Sequence, residues 1–166
     1  GYIGSHTCVS LLNAGYDVVI LDNLYNSNIH VLDRIETITG KRPKFYDVDI
    51  LDRTGLEKVF DENHIDAVIH FAGYKAVGES VQIPLTYYQN NIAGSLNLYE
   101  IMAKHGVKTL VFSSSATVYG NPEKCPIPET AKVGGTTNPY GATKVMNERI
   151  LEDVGRSDKA WSVLLL

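Results

Sequence analysis

Residues 1–23 read GYIGSHTCVSLLNAGYDVVILDN, and this stretch contains a glycine-bounded turn, a helix and a strand in succession. The segment SHTCVSLLNAG predicts a helix with Val9, Leu11 and Leu12 as its apolar positions. DVVILD then predicts a strand that is buried on both faces, because its apolar residues form a short continuous run. A helix that leads directly into such a strand is typical of proteins built on a parallel sheet.

The same alternation of helices and strands continues to residue 166. Further strands are predicted at KFYDVD, DAVIHFAG, TLVFSSS and WSVLLL, and further helices at residues 26–40, 53–63, 84–106 and 139–154. Crossover helices between parallel strands cover both faces of the sheet. We therefore predict an α/β fold, a Rossmann-like doubly wound parallel sheet with helices on both faces. Residues 116–138 interrupt the pattern with prolines and a glycine pair, which predicts a functional loop.

The composition of the chain disfavours several functional classes. A net charge of -4 and a pI near 5.7 argue against nonspecific binding to nucleic acid or to anionic lipid. No apolar run approaches the roughly 20 residues that span a bilayer, so no membrane association is expected. Cys8 and Cys125 form neither a CxxC motif nor a cluster with the histidines. We therefore expect no metal site and a reducing, cytoplasmic environment.

The two ends of the sequence predict a fragment of a longer protein. The chain opens on GYIGSHT without an initiator methionine and stops on the apolar run SVLLL. We interpret residues 1–166 as one domain that lacks its first strand.

The glycine turn and the end of the first strand together predict a nucleotide site. A glycine turn before a helix brings backbone N–H groups and the helix dipole to a pyrophosphate. Gly1 and Gly4 precede the first helix, with Ser5 as its expected cap, although GYIG alone fits a structural turn equally well. Asp22 follows Gly4 at close to the roughly 20-residue spacing of an acid that binds the adenosine ribose. A carboxylate there would repel a 2′-phosphate, which favours NAD over NADP; the alternative is a helix cap before Asn23.

Two further strand ends support the same interpretation. Asp49 lies at the tip of FYDVDI, and Phe71, Ala72 and Gly73 form the turn after DAVIH. In open α/β sheets, ligands bind at the carboxyl ends of the strands. Asp49 is placed to bond an adenine edge, while Ala72 and Gly73 leave room for a cofactor. Each position alone is ordinary strand-end chemistry, so the inference depends on their joint occurrence.

Tyr140 and Lys144 predict a catalytic pair. Residues four apart lie on one face of a helix, and TLVFSSS delivers Ser113, Ser114 and Ser115 to the carboxyl end of the preceding strand. A free phenol has a pKa near 10, and a nearby ammonium stabilises the phenolate that would act as a base. Together with a serine hydroxyl, such a pair can remove an alcohol proton while hydride leaves the same carbon. The simpler alternative is a surface helix with one aromatic residue and one charge.

The motifs GYIGSHT, LDN, HFAGYKAVGESV, FSSSATVYG and NPYGATK resemble those of the extended short-chain dehydrogenase/reductase family, and within it those of nucleotide-sugar epimerases. The resemblance covers essentially the whole chain. It implies a Rossmann-type NAD-binding domain and the interconversion of UDP-glucose and UDP-galactose by transient oxidation at C4. It also implies a homodimer formed through the two long helices. A C-terminal substrate domain would lie outside residues 1–166, so this fragment alone is expected to be inactive.

The resemblance also assigns roles to individual positions. Tyr140 corresponds to the active-site base, Lys144 to the residue that bonds the nicotinamide ribose, and Ser115 to the hydroxyl that bonds the 4-oxygen of the sugar. The implied cofactor contacts, besides Tyr140 and Lys144, are Tyr2, Ile3, Asp22, Asn23, Asn26, Ser27, Asp49, Ile50, Phe71, Ala72, Gly73, Lys75 and Asn90. Apolar residues that could form the helix pair of a dimer, or could equally pack on the sheet, are Leu96, Leu98, Tyr99, Ile101, Met102, Met146 and Ile150.

Two alternative functions remain open at this point. One is a different epimerase, a dehydratase or a decarboxylase of the same family that shares the first oxidation. A dehydratase typically has an acid beside the serine, whereas Ala116 and Thr117 follow Ser115 here. The other is a non-catalytic NAD-binding module, which would tend to lose the tyrosine or the lysine.

Overall fold

The computed structural model describes all of residues 1–166. The helices are α1 (Tyr2–Asn13), α2 (Val31–Thr39), α3 (Arg53–Glu62), α4 (Val77–Gln82), α5 (Pro84–Tyr88), α6 (Ser95–Lys104) and α7 (Pro139–Ser157). The strands are β1 (Val19–Asp22), β2 (Lys44–Asp47), β3 (Val68–His70), β4 (Thr109–Phe112) and β5 (Ser162–Leu165). A π-helical turn covers Gln89–Gly94, and a 3₁₀ turn covers Ala116–Tyr119.

All paired strands are parallel. β1 pairs with β2, and β4 lies between β3 and β5, while the two groups are not hydrogen-bonded to each other. The rings of Tyr25, after β1, and Tyr74, after β3, lie 4.7 Å apart, so the loops that follow the two groups meet. This arrangement confirms the predicted Rossmann-like α/β class and places the carboxyl ends of the strands at one edge.

The hydrophobic core lies between the β3–β4–β5 sheet and helices α3, α6 and α7. Leu56 from α3 and Ile101 and Met102 from α6 are completely buried, and they join Leu110 and Phe112 from β4. Burial of each such side chain contributes about 1.5–3 kcal/mol. This packing fixes the position of β4, whose carboxyl end carries the three serines.

The second helix starts later than its apolar pattern predicts. The pattern indicated a start near Asn26, but α2 begins at Val31. The Asn28 side chain accepts a hydrogen bond from the backbone N–H of His30, and the Ser27 hydroxyl donates to Asp22. These local bonds offer the backbone an alternative to helix, so residues 23–30 form a turn at the end of β1 instead.

The long helix predicted for residues 84–106 is present as a continuous helical segment from Pro84 to Lys104. It consists of α5, the π-helical turn and α6 in succession, and only the π-helical turn within it was not predicted. A π-turn inserts one extra residue into a helix and is frequently found at functional sites. Here it carries Asn90, one of the predicted cofactor residues, and its neighbour Asn91.

The loop predicted for residues 116–138 is present and is folded back on itself. The backbone N–H of Gly134 donates to the carbonyl of Val118, whose side chain is buried. Gly120 has a φ of 63°, and a Cβ there would lie 1.7 Å from the Gly135 oxygen, so only glycine fits. None of the helices has the length and apolar character needed to cross a bilayer.

Candidate functional site

The start of α7 is defined by its own sequence. Asn138 caps the helix by accepting a hydrogen bond from the backbone N–H of Gly141 at 2.8 Å, and Pro139 occupies the first turn, where no N–H is required. This cap sets the helical phase that places Tyr140 and Lys144 on one face. The NPY sequence therefore places the half-buried Tyr140 in the first turn of α7.

Lys144 joins α7 to the end of β4. Its Nζ donates a hydrogen bond to the main-chain oxygen of Ser113 at 2.6 Å, and it lies 4.7 Å from the centre of the Phe112 ring and 5.8 Å from that of Tyr140. Burial of the ammonium lowers the pKa of Lys144 to about 8, an effect that the carboxylate of Glu148 partly opposes. The lysine is therefore a cation held close to the phenol ring by the strand end.

Ser115 lies where β4 leads into the 3₁₀ turn. Its Oγ accepts hydrogen bonds from the backbone N–H of Thr117 at 3.2 Å and from the Thr117 hydroxyl at 2.9 Å. Because both bonds are made to the oxygen, the serine O–H is left to donate to another group. The preceding residue, Ser114, donates to Glu148 of α7. Together with the bond from Lys144 to the Ser113 carbonyl, it ties the end of β4 to α7.

At the other end of the site, Asp22 faces the start of α1. Its Oδ2 lies 3.3 Å from the nitrogen of Gly1, while its Oδ1 accepts from the Ser27 hydroxyl and from the backbone N–H of Leu24. Leu24 has a φ of 56°, a costly conformation for a residue with a Cβ, and the bond to Asp22 supports it. Asp22 therefore lies beside the start of α1, and its role at the adenosine ribose stays a prediction.

Helix α1 itself begins earlier than predicted. It starts at Tyr2, with Gly1 at the cap position, so Gly4 lies inside the first turn. Ser5 is not the cap, because its hydroxyl donates to the carbonyl of Tyr2. A Cβ on Gly4 would lie 3.8 Å from the Phe71 ring, which shows that this turn faces the end of β3.

Asn23 and Asp49 form a second pair of predicted residues that meet. The Asn23 amide donates to Asp49 Oδ2 at 2.8 Å, and Asp49 Oδ1 accepts from the backbone N–H of Leu51. The Ile50 side chain is buried, and a Cβ on Gly94 would lie 2.6 Å from it. The Ile50 side chain is therefore unavailable to a ligand, and its carbonyl oxygen already accepts a hydrogen bond from the Asn97 amide at 3.2 Å.

Other predicted contacts lie on the surface of the same edge. Tyr2 and Ile3 are exposed on the first turn of α1, Asn26 is exposed in the turn after β1, and Lys75 is exposed after β3. None of these side chains forms a hydrogen bond within the chain that would fix it in place. Their predicted roles remain predictions.

The turn after β3 is held by a residue that the sequence analysis missed. The side chain of Asn91 accepts from the backbone N–H of Tyr74 at 2.8 Å and donates to its carbonyl at 2.9 Å. The same amide group receives a hydrogen bond from Asn90 and donates to Thr143, which lies between Tyr140 and Lys144. Two adjacent asparagines in a predicted helix were the available signal, since asparagine is an unfavourable residue in helix interiors.

A separate group of polar residues lies away from this site. Ligand atoms of Glu57, Asp61 and His105 lie within 4.8 Å of one another, next to a surface cavity of about 320 Å³ formed by the residues before β3 and β4. Glu57 already accepts hydrogen bonds from Lys104 and His105 at 2.7 and 2.8 Å. These internal bonds account for the cluster, which is at the amino ends of the strands rather than at the carboxyl ends.

Comparison with known proteins gives matches that cover the whole chain. The model of the NAD dependent epimerase/dehydratase family matches residues 1–166. UDP-glucose 4-epimerase of Bacillus subtilis is 61% identical over 166 residues, which cover 100% of this chain and 49% of that protein.

Two solved structures are similar to this chain over nearly its whole length. UDP-glucose 4-epimerase of Bifidobacterium longum in complex with NAD+ and UDP has a TM-score of 0.97 and 54% identity, covering 98% of this chain and 49% of the other. The enzyme of Stenotrophomonas maltophila, with bound NAD and formylated UDP-arabinopyranose, has a TM-score of 0.95 and 48% identity, covering 99% and 49%. The chain thus spans about half the length of the curated relatives it matches.

Proposed function

The chain belongs to the NAD dependent epimerase/dehydratase family, and on that basis we propose that the protein containing it is a UDP-glucose 4-epimerase. In this proposal it interconverts UDP-glucose and UDP-galactose with a bound NAD, in a reaction of galactose metabolism. The observation that carries the proposal is the convergence of Tyr140, Lys144 and Ser115 at one end of the carboxyl edge and of Asp22 and the glycine turn at the other.

The residues at this edge fit a dinucleotide. The first turn of α1 presents backbone N–H groups of Tyr2 and Ile3 to a pyrophosphate, and Asp22 presents Oδ2 beside that turn. The Asn23–Asp49 pair would hold the adenosine end, with the main chain of Ile50 at the adenine and with Asn26 and Ser27 near the ribose. Phe71, Ala72, Gly73, Lys75 and Asn90 would line the middle of the cofactor.

Bound there, NAD would supply the hydride acceptor and donor for the reaction at C4 of the sugar. The chain's own residues supply proton transfer and orientation. The Tyr140 phenolate takes the proton of the 4-hydroxyl, and the buried Lys144 ammonium beside the ring stabilises that phenolate. Ser115 uses its available O–H to bond the 4-oxygen, which holds the reacting carbon in place.

The domain organisation and the partners form part of the same proposal. Residues 1–166 would be the NAD-binding domain, and a further strand would complete the sheet between β1 and β3, which are not hydrogen-bonded to each other here. Most contacts with the UDP-sugar would come from a C-terminal domain. A cytoplasmic location remains a prediction from the sequence.

The proposed homodimer requires apolar surface on the long helices. Leu98, Tyr99, Ile101 and Met102 are buried in this chain's own core and are unavailable for a partner. Other apolar side chains on these helices remain accessible, namely Leu85 on α5, Leu96 on α6 and Met146 on α7. These three are the residues that we expect a second copy to cover.

The direct test uses the full-length protein that contains this chain, purified without added cofactor and supplied with UDP-galactose. We expect one equivalent of released NAD per site on denaturation, and UDP-glucose in the supernatant without accumulation of NADH at 340 nm. Accumulating NADH, or a product lighter by one water, would replace the proposal with a dehydrogenase or dehydratase of the family. NAD retention with no conversion of any UDP-hexose would indicate a binding module.

A further inference from the structure

In the π-helical turn, the buried main-chain carbonyl of Asn91 accepts its hydrogen bonds from side chains. The Asn91 carbonyl oxygen accepts hydrogen bonds from Asn147 Nδ2 of α7 and from the Ser95 hydroxyl, both at 2.8 Å. The distorted backbone of a π-turn leaves carbonyl groups poorly satisfied by the helix, and a buried one needs a partner. The sequence therefore supplies two side-chain donors at the same oxygen.

Asn147 is held in one orientation by its other bonds. Its Nδ2 also donates to the carbonyl of Thr143 at 2.9 Å, and its Oδ1 accepts from the Tyr99 hydroxyl at 2.9 Å. Asn147 is 1% exposed and Tyr99 is 4% exposed. Because both donor hydrogens and the amide oxygen are used, the Tyr99 hydroxyl fixes which way the amide points.

This arrangement connects the proposed catalytic helix to the proposed cofactor turn. Asn147 lies on α7 one turn after Thr143, and its side chain donates to the main-chain carbonyl of Asn91. The Asn91 side chain in turn bonds both the N–H and the carbonyl of Tyr74. A shift of the π-turn would therefore move Asn90 and the loop after β3 together, relative to Tyr140.

We propose that Asn147, oriented by Tyr99, is a positioning residue that sets the distance between the π-helical turn and α7. The proposal rests on the proposed function, in which the π-helical turn and the loop after β3 line the NAD site while α7 carries the Tyr140 phenol. A change in the distance between the turn and α7 would therefore move the cofactor relative to the phenol. Misplacement of reacting groups by about 1 Å can cost about a hundredfold in rate.

A purely structural role for the Asn147–Tyr99 pair would predict a different result, and a paired substitution separates the two. Asn147→Leu alone leaves the Tyr99 hydroxyl buried without a partner, which is destabilising whatever the role of the pair. Tyr99→Phe in the same protein removes that hydroxyl, so the double variant replaces a polar pair with an apolar one of similar shape. Such replacements are close to neutral for stability.

The experiment compares the full-length wild type, the Asn147→Leu/Tyr99→Phe variant and a Leu151→Ala control. Leu151 is 1% exposed and lies in the hydrophobic core, one turn after Asn147 on α7. Its apolar side chain forms no hydrogen bond with the π-turn. Hydrogen exchange of the Tyr74 amide in the cofactor-free protein reports on the Asn91 contact directly. NAD retained after gel filtration and kcat with UDP-galactose report on the consequence.

For the double variant we expect a Tm within a few degrees of the wild type, Tyr74 amide exchange about tenfold faster, and NAD retention and kcat reduced at least about tenfold. The control should lower Tm and leave kcat unchanged. Wild-type exchange at Tyr74 together with wild-type kcat in the double variant would overturn the inference. If the wild type itself neither retains NAD nor converts UDP-galactose, the proposed function fails, and Tyr74 exchange alone decides the positioning role.

Discussion

The Nζ atom of Lys144 lies 2.6 Å from the main-chain oxygen of Ser113, and this hydrogen bond joins the helix that carries Tyr140 to the strand end that carries Ser115. One contact thus brings the three proposed catalytic residues to the same edge of the sheet. Because the strand is fixed by the core and the helix by its cap at Asn138, the position of the pair follows from the fold.

Tyr140→Phe should remove the proposed base without disturbing the structure. The phenol oxygen forms no hydrogen bond within the chain, so its loss leaves no internal group unsatisfied. We expect kcat to fall by about 10²–10⁴ with retained NAD unchanged, as is usual for loss of a general base. The check is conversion of UDP-galactose by the full-length variant beside its NAD content. Loss of NAD from the variant would assign Tyr140 to binding instead.

Lys144→Met should stabilise the protein while it removes the proposed activity. Burial lowers the pKa of Lys144 from 10.5 to about 8, so a protonated lysine disfavours the folded state below pH 8, and stability rises between pH 8 and 10.5. Removing the charge, less the lost bond to Ser113, should raise the free energy of unfolding by about 2 kcal/mol at pH 7. Urea titration at pH 7 and at pH 10 measures this gain, which should shrink at the higher pH.

A variant that is less stable at pH 7, with the same deficit at pH 10, would show that packing and hydrogen bonding of Lys144 outweigh its desolvation. Lys58→Met is a suitable control, because Lys58 is an exposed helical lysine whose pair with Glu62 has an N–O distance of 3.8 Å. Its effect on stability should be within about 0.5 kcal/mol.

His70 should make the protein acid-sensitive. Burial, with a smaller contribution from the charge of Lys144, lowers the pKa of His70 from 6.5 to about 3. Between pH 6.5 and about 3, His70 is protonated in the unfolded chain and neutral in the folded chain. The free energy of unfolding is therefore unaffected above pH 6.5 and falls as the pH decreases toward 3. Between pH 6.5 and 5 the loss should be about 2 kcal/mol.

The His70→Phe variant should lack this part of the pH dependence. The Ser95 hydroxyl keeps its bond to the Asn91 carbonyl in that variant, so no buried donor is orphaned. Chemical denaturation of both proteins at pH 6.5 and 5 gives the difference. Parallel losses in the two proteins would mean that another group dominates acid unfolding.

Gly94→Ala and Gly155→Ala should have opposite effects, although both glycines lie in helical segments. A Cβ on Gly94 would lie 2.6 Å from two atoms of the buried Ile50, whereas a Cβ on Gly155 meets nothing within 4 Å. We expect Gly94→Ala to cost about 1–3 kcal/mol and Gly155→Ala to gain up to about 1 kcal/mol. Thermal unfolding of both variants measures these changes. An unchanged Tm for Gly94→Ala would show that Ile50 can move aside without cost.

The parallel sheet and its site-bearing edge could be predicted because they depend on local patterns. Continuous apolar runs mark buried strands, and polar residues that follow them lie at one edge. Asp22, Asp49 and the Tyr140–Lys144 pair were therefore identified from position, whereas Ser115 was singled out among three serines by the family resemblance. The structure brings Asp22 to the start of α1 and Lys144 to the end of β4.

The parts that escaped prediction depend on contacts between distant residues. The π-turn is supported by Asn147 and Ser95, which donate to the Asn91 carbonyl, and residue 147 lies 56 positions after residue 91. Likewise, the late start of α2 depends on Ser27 bonding Asp22 rather than on the apolar spacing of Leu32 and Ile35. Periodicity carries no information about either contact.

The most direct test of the proposed function is the fate of the hydrogen at C4. The full-length protein would be supplied with UDP-galactose deuterated at C4, in ordinary water and without added cofactor, and the UDP-glucose formed would be analysed by mass spectrometry and NMR. Removal and return of the same hydride predicts UDP-glucose that keeps its deuterium at C4. Product in which that deuterium has been replaced by solvent hydrogen would contradict a hydride mechanism at this site.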